Sequence, residues 1–256
     1  MTLALAEHGV KLALMAYPGA DLGELRAGAE KKGAKVIVFA YDVRNGEQRR
    51  KILEETHAQF GDIDILINNA GIEYTAAYHE LSEEHIRDII AVNLEGPMVL
   101  TNLVLPEMLR RGRGHIVNMA SLAGKAGPAF QEPYAATKAG LIAFTSSLRA
   151  TYRKFGVSAS VIVPGFVEAG IYAKLKAESG YVAPALLGTS PPEAVVTAVL
   201  RAIERDLPEI IINPLPVRPL LALTALFPVL GEWLTGKTGA NDFFGRVVAA
   251  QKKKKT

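Results

Sequence analysis

Six short apolar runs, rich in β-branched residues and separated by longer stretches of helical period, constrain this chain more than any other feature. They fall at 10–17, 35–41, 63–68, 115–120, 157–163 and 209–213. Most are apolar on consecutive positions rather than alternate ones, the pattern of strands covered on both faces. Helical periodicity fills the intervals at 21–32, 47–60, 83–111, 134–155 and 192–206. Gly9, Gly33, Gly61 and Gly156 each stand just before a strand, where glycine closes a preceding helix. Ser190, followed by Pro191, Pro192 and Glu193, reads as a helix start. The strand–helix alternation predicts an α/β fold, a doubly wound parallel sheet with helices on both faces. No internal repeat or dividing linker is visible, so a single domain is expected.

Composition removes several function classes. With 256 residues and 49% hydrophobic content the chain builds a substantial core and is not disordered. It has no cysteine, which excludes disulfides, thiolate metal sites and a cysteine nucleophile. Five scattered histidines offer no histidine-rich metal site. The net charge is +3, but the run of Lys252, Lys253, Lys254 and Lys255 supplies four positive charges, leaving −1 on the body. A basic face for nucleic acid is therefore not expected. Glu7, His8 and Lys11 interrupt any secretory signal, and the apolar uncharged stretch 219–231 is too short to span a bilayer. The expected location is the cytoplasm.

Several residues do not suit a plain core. Between 83 and 111, Ile86, Ile89, Ile90 and Asn93 share one helical face, so an amide sits where an apolar residue is expected. Taken alone, Asn93 reads as a satisfied core asparagine that kinks its helix. Tyr134 and Lys138 are four apart on a face that continues through Leu141, Ile142 and Thr145, placing a lysine toward the interior. A lone Tyr-x-x-x-Lys arises by chance about as often as not in a chain with eight tyrosines. Its company matters more. Ser121 follows the strand at 115–120, INNAG at 67–71 ends another, Asp42 and Val43 end a third, and Pro164 and Gly165 follow a fourth. Carboxyl-side strand tips are where ligands collect in doubly wound sheets.

These residues resemble the short-chain dehydrogenase/reductase family over most of the chain, from about Thr2 to Asn213. The resemblance rests on Asp42-Val43, NNAG at 68–71, Asn93 in VNLEG, Ser121, YAATK at 134–138 and Pro164-Gly165. It implies a Rossmann-like domain over 1–213 and hydride transfer between NAD or NADP and a carbonyl or secondary alcohol. It makes Tyr134 the acid/base, Lys138 the cation that lowers the phenol pKa and binds the nicotinamide ribose, and Ser121 a donor to the substrate oxygen. Asn93 would hold a water linking Lys138 to solvent. Asp42 and Val43 are assigned to the adenine, Asn69, Ala70 and Gly71 to the adenosine ribose and backbone, and Pro164 and Gly165 to the nicotinamide. The family's threonine after that proline–glycine pair is replaced by Glu168, Ala169 and Gly170. Ala16 and Tyr17 end the second family strand where NAD-binding members carry Asp, which leans toward NADP.

The family's first strand and its glycine-rich turn are not found before Gly9, although 2–9 resembles the latter part of the following helix. Either the start is mis-assigned and the working protein is longer, or this is a shortened paralogue; the intact catalytic set favours the first. The absent strand would lie between those at 10–17 and 63–68, so two unpaired strand edges, poor cofactor affinity and low stability are expected. Residues 214–256 form an apolar helical extension with a polybasic tail. It reads either as a helix over the cleft or between subunits, or as a peripheral membrane foot using Trp233 and the lysines. Leu122, Phe130, Phe166, Ile171, Tyr172 and Tyr181 suggest a hydrophobic substrate, while Lys125, Lys174 and Lys176 leave a carboxylate or phosphate open. An epimerase or dehydratase with the same Tyr–Lys pair and a non-catalytic relative are the rival readings. A homodimer or homotetramer is implied through the helices at 98–111 and 134–155.

Overall fold

The computed structural model describes residues 1–255. All six expected strands form: β1 (Lys11–Ala16), β2 (Lys35–Ala40), β3 (Ile65–Asn68), β4 (Gly114–Met119), β5 (Val157–Pro164) and β6 (Glu209–Ile212). Every pairing between them is parallel. They divide into a two-stranded sheet, β1–β2, and a four-stranded sheet, β3–β4–β5–β6, with no pairing between β1 and β3. That break falls where the sequence predicts two unpaired edges. β4 and β5 are buried along nearly their whole length, as strands covered on both faces must be.

Twelve α-helices accompany the strands among the described residues. In chain order they are α1 (Thr2–Ala6), α2 (Gly23–Lys31), α3 (Gly46–Phe60), α4 (Glu83–Ile90), α5 (Gly96–Arg111) and α6 (Ala123–Ala126), followed by α7 (Glu132–Tyr152), α8 (Gly170–Ser179), α9 (Pro192–Glu204), α10 (Arg218–Leu226), α11 (Pro228–Lys237) and α12 (Ala240–Lys255). Asn45 caps α3 by accepting from the Glu47 and Gln48 N–H groups, and Ser82 caps α4 by accepting from His85. Ser190 does not cap α9. Its N–H and C=O are spent on Phe166 and Glu168, and Pro191 occupies the cap position instead.

Helices α3, α5 and α7 cover one face of the sheets. Val104, Leu105 and Met108 of α5 and Leu148 of α7 pack on Ile116, Val157 and Ala159. On the other face, Ala198, Val199 and Ala202 of α9 pack on Val117, Ile162 and Ile212, and α1 and α2 cover β1 and β2. Side chains span the sheet break where backbones do not: Met15 of β1, Phe39 of β2 and Leu66 of β3 share a cluster with Ile52, Val92 and Leu100. A buried polar ladder crosses the larger sheet. Asn68 donates to Asn118 at 2.8 Å, and Asn118 donates to Thr145 on α7 at 2.9 Å. Asn68, the first residue of NNAG, thus ties strands together, its buried Nδ2 also reaching Thr101 Oγ1 at 3.5 Å.

The stretch Glu83–Arg111 is long and apolar enough to cross a membrane. Half of it lies inside the protein, and it serves as core. A π-helical turn, Ala91–Glu95, interrupts it between α4 and α5, where the sequence led us to expect a kink.

The glycines expected to close helices, Gly9, Gly33, Gly61 and Gly156, all have positive φ. Gly156 is the tightest of them: a Cβ there would lie 1.9 Å from the Gly112 carbonyl oxygen, whereas one at Gly9 would meet nothing. Gly9→Ala is therefore expected to cost about 1–2 kcal/mol for the left-handed backbone alone. Gly156→Ala should cost at least about 3 kcal/mol, because overpacking against a carbonyl adds to that strain. Equal shifts of the urea midpoint in the two variants would contradict this.

Candidate active site

Parallel register brings the carboxyl ends of β3, β4 and β5 level, with Asn68 beside Asn118 and Met119 beside Ile162. The segments leaving those ends carry Asn69, Ala70 and Gly71, then Ser121, then Pro164 and Gly165. α7 runs below them with Tyr134 and Lys138. All eight residues line one cavity of about 610 Å³. Close packing fixes the arrangement. A Cβ on Gly124 of α6 would lie 2.6 Å from the Lys138 carbonyl carbon, so only glycine lets the segment after Ser121 sit directly on α7.

Asn93 lies in the π-helical turn and is fully buried. Its Oδ1 accepts from the Ile72 N–H and its Nδ2 donates to the Ile72 C=O, both at 2.9 Å. Nδ2 also lies 3.4 Å from Thr137 Oγ1 on α7. The amide therefore clamps both backbone polar groups of Ile72, in the segment after β3. A Cβ on Gly71 would stand 3.5 Å from Lys138 Nζ and 3.6 Å from Asn93 Oδ1, which puts these three residues at one point.

Lys138 is 3% exposed, and its ammonium donates to the Met119 carbonyl at 2.8 Å. Burial disfavours its charge and lowers its pKa to about 8. The Tyr134 phenol is pushed up to about 12, first by burial, with the Ser121 hydroxyl pulling it down and the Glu73 carboxylate pushing it further up. The resemblance expects Lys138 to lower the phenol pKa; burial outweighs that, and the phenol stands above its ordinary value. The ammonium sits over the Tyr134 ring, 5.6 Å from its centroid, and spends a hydrogen bond on a backbone carbonyl.

Glu73 is a site residue that the sequence reading missed. Its Oε1 accepts from Thr75 Oγ1 and from Gln131 Nε2, and Gln131 also donates to Thr75 at 2.9 Å. Burial raises the Glu73 pKa, its hydrogen bonds and Lys174 oppose the rise, and Glu178 adds to it. Only the position of Glu73, two residues beyond a strand-end glycine, could have marked it, and no fixed spacing links it to Tyr134 or Gln131.

Other expected residues lie elsewhere. Asp42 and Val43 are not in the cavity wall. The Asp42 carboxylate is held by Arg44 at 2.7 Å, which also pairs with Asp88 at 2.6 Å, and Val43 is buried among Phe39, Ile52, Val92 and Leu100. Leu122, Phe166, Ile171 and Tyr172 line the cavity, whereas Phe130 and Tyr181 pack around Phe243 and Phe244. Lys125, Lys174 and Lys176 are absent from the wall and pair with Glu209, Glu178 and Glu168.

The cavity chemistry fits the nicotinamide-ribose end of a dinucleotide. Lys138 keeps N–H donors beyond the one given to Met119, and Gly71 leaves the space beside them free of a side chain. The pyrophosphate end has no such match among the described residues. The turn from β1 to α2, which follows the second family strand and is not the place of the family's glycine-rich turn, supplies no substitute: it contains one glycine, Gly19, and the Asp21 carboxylate already accepts from the Gly23 N–H at the start of α2.

A sequence profile of the short chain dehydrogenase family matches residues 1–180. The ketoacyl reductase HetN of Nostoc sp. (strain PCC 7120) is 37% identical over 229 residues, covering 90% of this chain and 78% of its own. The 3-oxoacyl-(acyl-carrier-protein) reductase FabG of Thermotoga maritima is 32% identical over 202 residues, 78% of this chain and 82% of its own. A crystal structure of a short-chain dehydrogenase from Streptomyces avermitilis has the same fold, with a TM-score of 0.72 over 93% of this chain and 92% of its own at 24% identity. The chain belongs to the short-chain dehydrogenase/reductase family and is an oxidoreductase of that class.

The raised pKa of Glu73 makes its protonation tighter in the folded state. Its stabilising contribution is present below the ordinary value of 4.5 and is lost as pH rises through the raised value. Glu73→Gln removes that loss and also removes a charge that adds to the rise burial gives the phenol pKa. The variant should be at least as stable as the parent at neutral pH, and the Tyr134 limb of its pH–rate profile should move to lower pH. A limb that stays in place would show that Glu73 exerts no field at Tyr134.

Proposed function

We propose that the chain reduces an apolar ketone to a secondary alcohol, with Tyr134 as the proton donor and NADPH as the preferred reductant. The observation that carries this reading is the Tyr134 phenol and the Ser121 hydroxyl together in the wall of an apolar cavity, with Lys138 buried beside them. When bound, the reduced nicotinamide supplies the hydride. The chain's own residues do the rest. Ser121 donates a hydrogen bond to the carbonyl oxygen and stabilises the charge that develops there. Tyr134 Oη gives its proton to that oxygen. Lys138 holds a positive charge beside the phenolate that remains.

The pKa values order this transfer. The Tyr134 phenol, at about 12, is a stronger acid than the secondary alcohol that forms. Proton transfer from the phenol to the alkoxide is therefore downhill. NADPH preference is supported by the end of β1, where Ala16 and Tyr17 offer no carboxylate. Two relatives bear the names of ketoacyl and 3-oxoacyl reductases, which supports an oxo-acyl chain as the form of the ketone. Within this reading, residues 1–213 are the catalytic domain and 214–256 an extension that closes the cavity. The enzyme works in the cytoplasm as a homodimer or homotetramer joined through α5 and α7.

The test is nicotinamide oxidation, followed by absorbance, against a panel of apolar ketones and 3-oxoacyl thioesters. Turnover with NADPH should exceed that with NADH. Tyr134→Phe should lose about 10²- to 10⁴-fold in rate, the usual worth of a positioned general acid, without loss of melting temperature. A Tyr134→Phe variant that turns over like the parent would overturn the assignment.

A further inference from the structure

Exposed large apolar side chains are scattered singly over most of this molecule, with one exception. Leu226, Phe227, Val229, Leu230 and Trp233 fall within eight residues, and their exposures are 73%, 57%, 84%, 43% and 60%. They belong to the hairpin made by α10 and α11. Its two helices are pressed together: a Cβ on Gly231 would lie 2.7 Å from Thr224 Cα, so the hairpin is a packed unit. Its inner side, through Val217, Leu220, Leu221 and Thr235, forms part of the cavity wall. Exposures as high as those of Leu226 and Val229, on either side of the turn, mean that the turn projects from the body. A single contiguous apolar patch of this kind on an otherwise ordinary surface marks an interaction site.

We propose that the tip of the α10–α11 hairpin inserts into the surface of a phospholipid bilayer, with Trp233 at the interface. Size and shape argue against a second copy as the occupant. The patch offers on the order of 600 Å² of apolar side chain, short of the about 800 Å² per partner of a stable protein interface. A projecting tip also suits a fluid surface better than a rigid one. Trp233 has the character of an interfacial residue, an amphipathic ring with the Lys237 ammonium 5.7 Å from its centre. Interfacial elements bury their apolar side about 5–10 Å into the headgroup boundary, a depth that a helical turn reaches.

The lysine tail takes no part in this contact. It stands at the far end of α12, whose 16 residues rise about 24 Å from the α11 end. There Lys252 pairs with Glu80 at 2.6 Å, and Lys254 donates to the Glu178 carbonyl. Attachment therefore rests on apolar burial and depends little on lipid charge, which separates it from a membrane foot built on Trp233 and the lysines together. Because the same hairpin walls the cavity, a docked molecule holds that wall against the lipid. The surface stands whether or not the cavity reduces a ketone.

Trp233 is the only tryptophan in the chain, so its fluorescence reports the contact directly. The full chain, without substrate, is titrated with vesicles of phosphatidylcholine alone and of phosphatidylcholine mixed with phosphatidylglycerol. The emission should shift to shorter wavelength with both, and lipids brominated on the acyl chain should quench it. Leu226→Asp combined with Val229→Asp alters the two most exposed side chains of the tip, and should weaken vesicle partitioning by at least about tenfold at an unchanged melting temperature. Replacing Lys252, Lys253, Lys254 and Lys255 by Gln should leave partitioning as it is. Emission unmoved by either vesicle would overturn the proposal. So would a shift that follows protein concentration without lipid and accompanies dimerisation in light scattering, which would assign the tip to a second copy. Binding confined to anionic vesicles and lost with the lysines would overturn it as well.

Discussion

The pair of hydrogen bonds between the Asn93 amide and the Ile72 peptide is the contact on which the cavity's geometry depends. One side chain satisfies both the N–H and the C=O of a single residue, and it does so from inside a long helix. To reach, the helix opens into a π turn at Ala91–Glu95, a local departure from α geometry that often marks a functional position. The segment after β3 is thereby fixed against α7. Gly71 comes to rest beside Lys138, and Glu73 is delivered to Gln131, within the field of Tyr134.

The cavity charges are placed against their own stability. Lys138 loses affinity for its proton on burial, and Tyr134 and Glu73 hold theirs more tightly for the same reason. The polar ladder of Asn68, Asn118 and Thr145 shows the opposite use of buried polarity. There each donor finds an acceptor, no charge is involved, and the effect is to lock strands and helix in one register. The two kinds of polar group lie next to each other at the strand ends. A neutral network on one side adjoins an ionisable one on the other.

Much of this was legible in the chain. The six strands were visible because β4, β5 and their neighbours are apolar on both faces, and Asn93 and Lys138 stood out as polar breaks in apolar helical stripes. Ser121, Gly71 and Gly165 were legible as strand-end residues. The sign of the Tyr134 shift was not, because it depends first on how deeply the packed fold buries the phenol and then on a carboxylate brought from a loop 61 positions earlier in the chain. The partners of Asp42 were hidden for a similar reason. Arg44 is two residues away in sequence, but its second partner, Asp88, sits on a different helix. The extension at 214–256 was readable as apolar helix, while its division into a cavity-lining side and a projecting tip required the packing of α10 on α11.

Hydrogen exchange at the Ile72 amide tests the central role of the Asn93 clamp most directly. In the parent protein this amide should be protected, since its N–H is held by a buried side-chain oxygen. In Asn93→Ala it should exchange about tenfold faster, the equivalent of one lost hydrogen bond, while amides of β4 and β5 keep their protection. An Ile72 amide that exchanges at the same rate in both proteins would contradict the account.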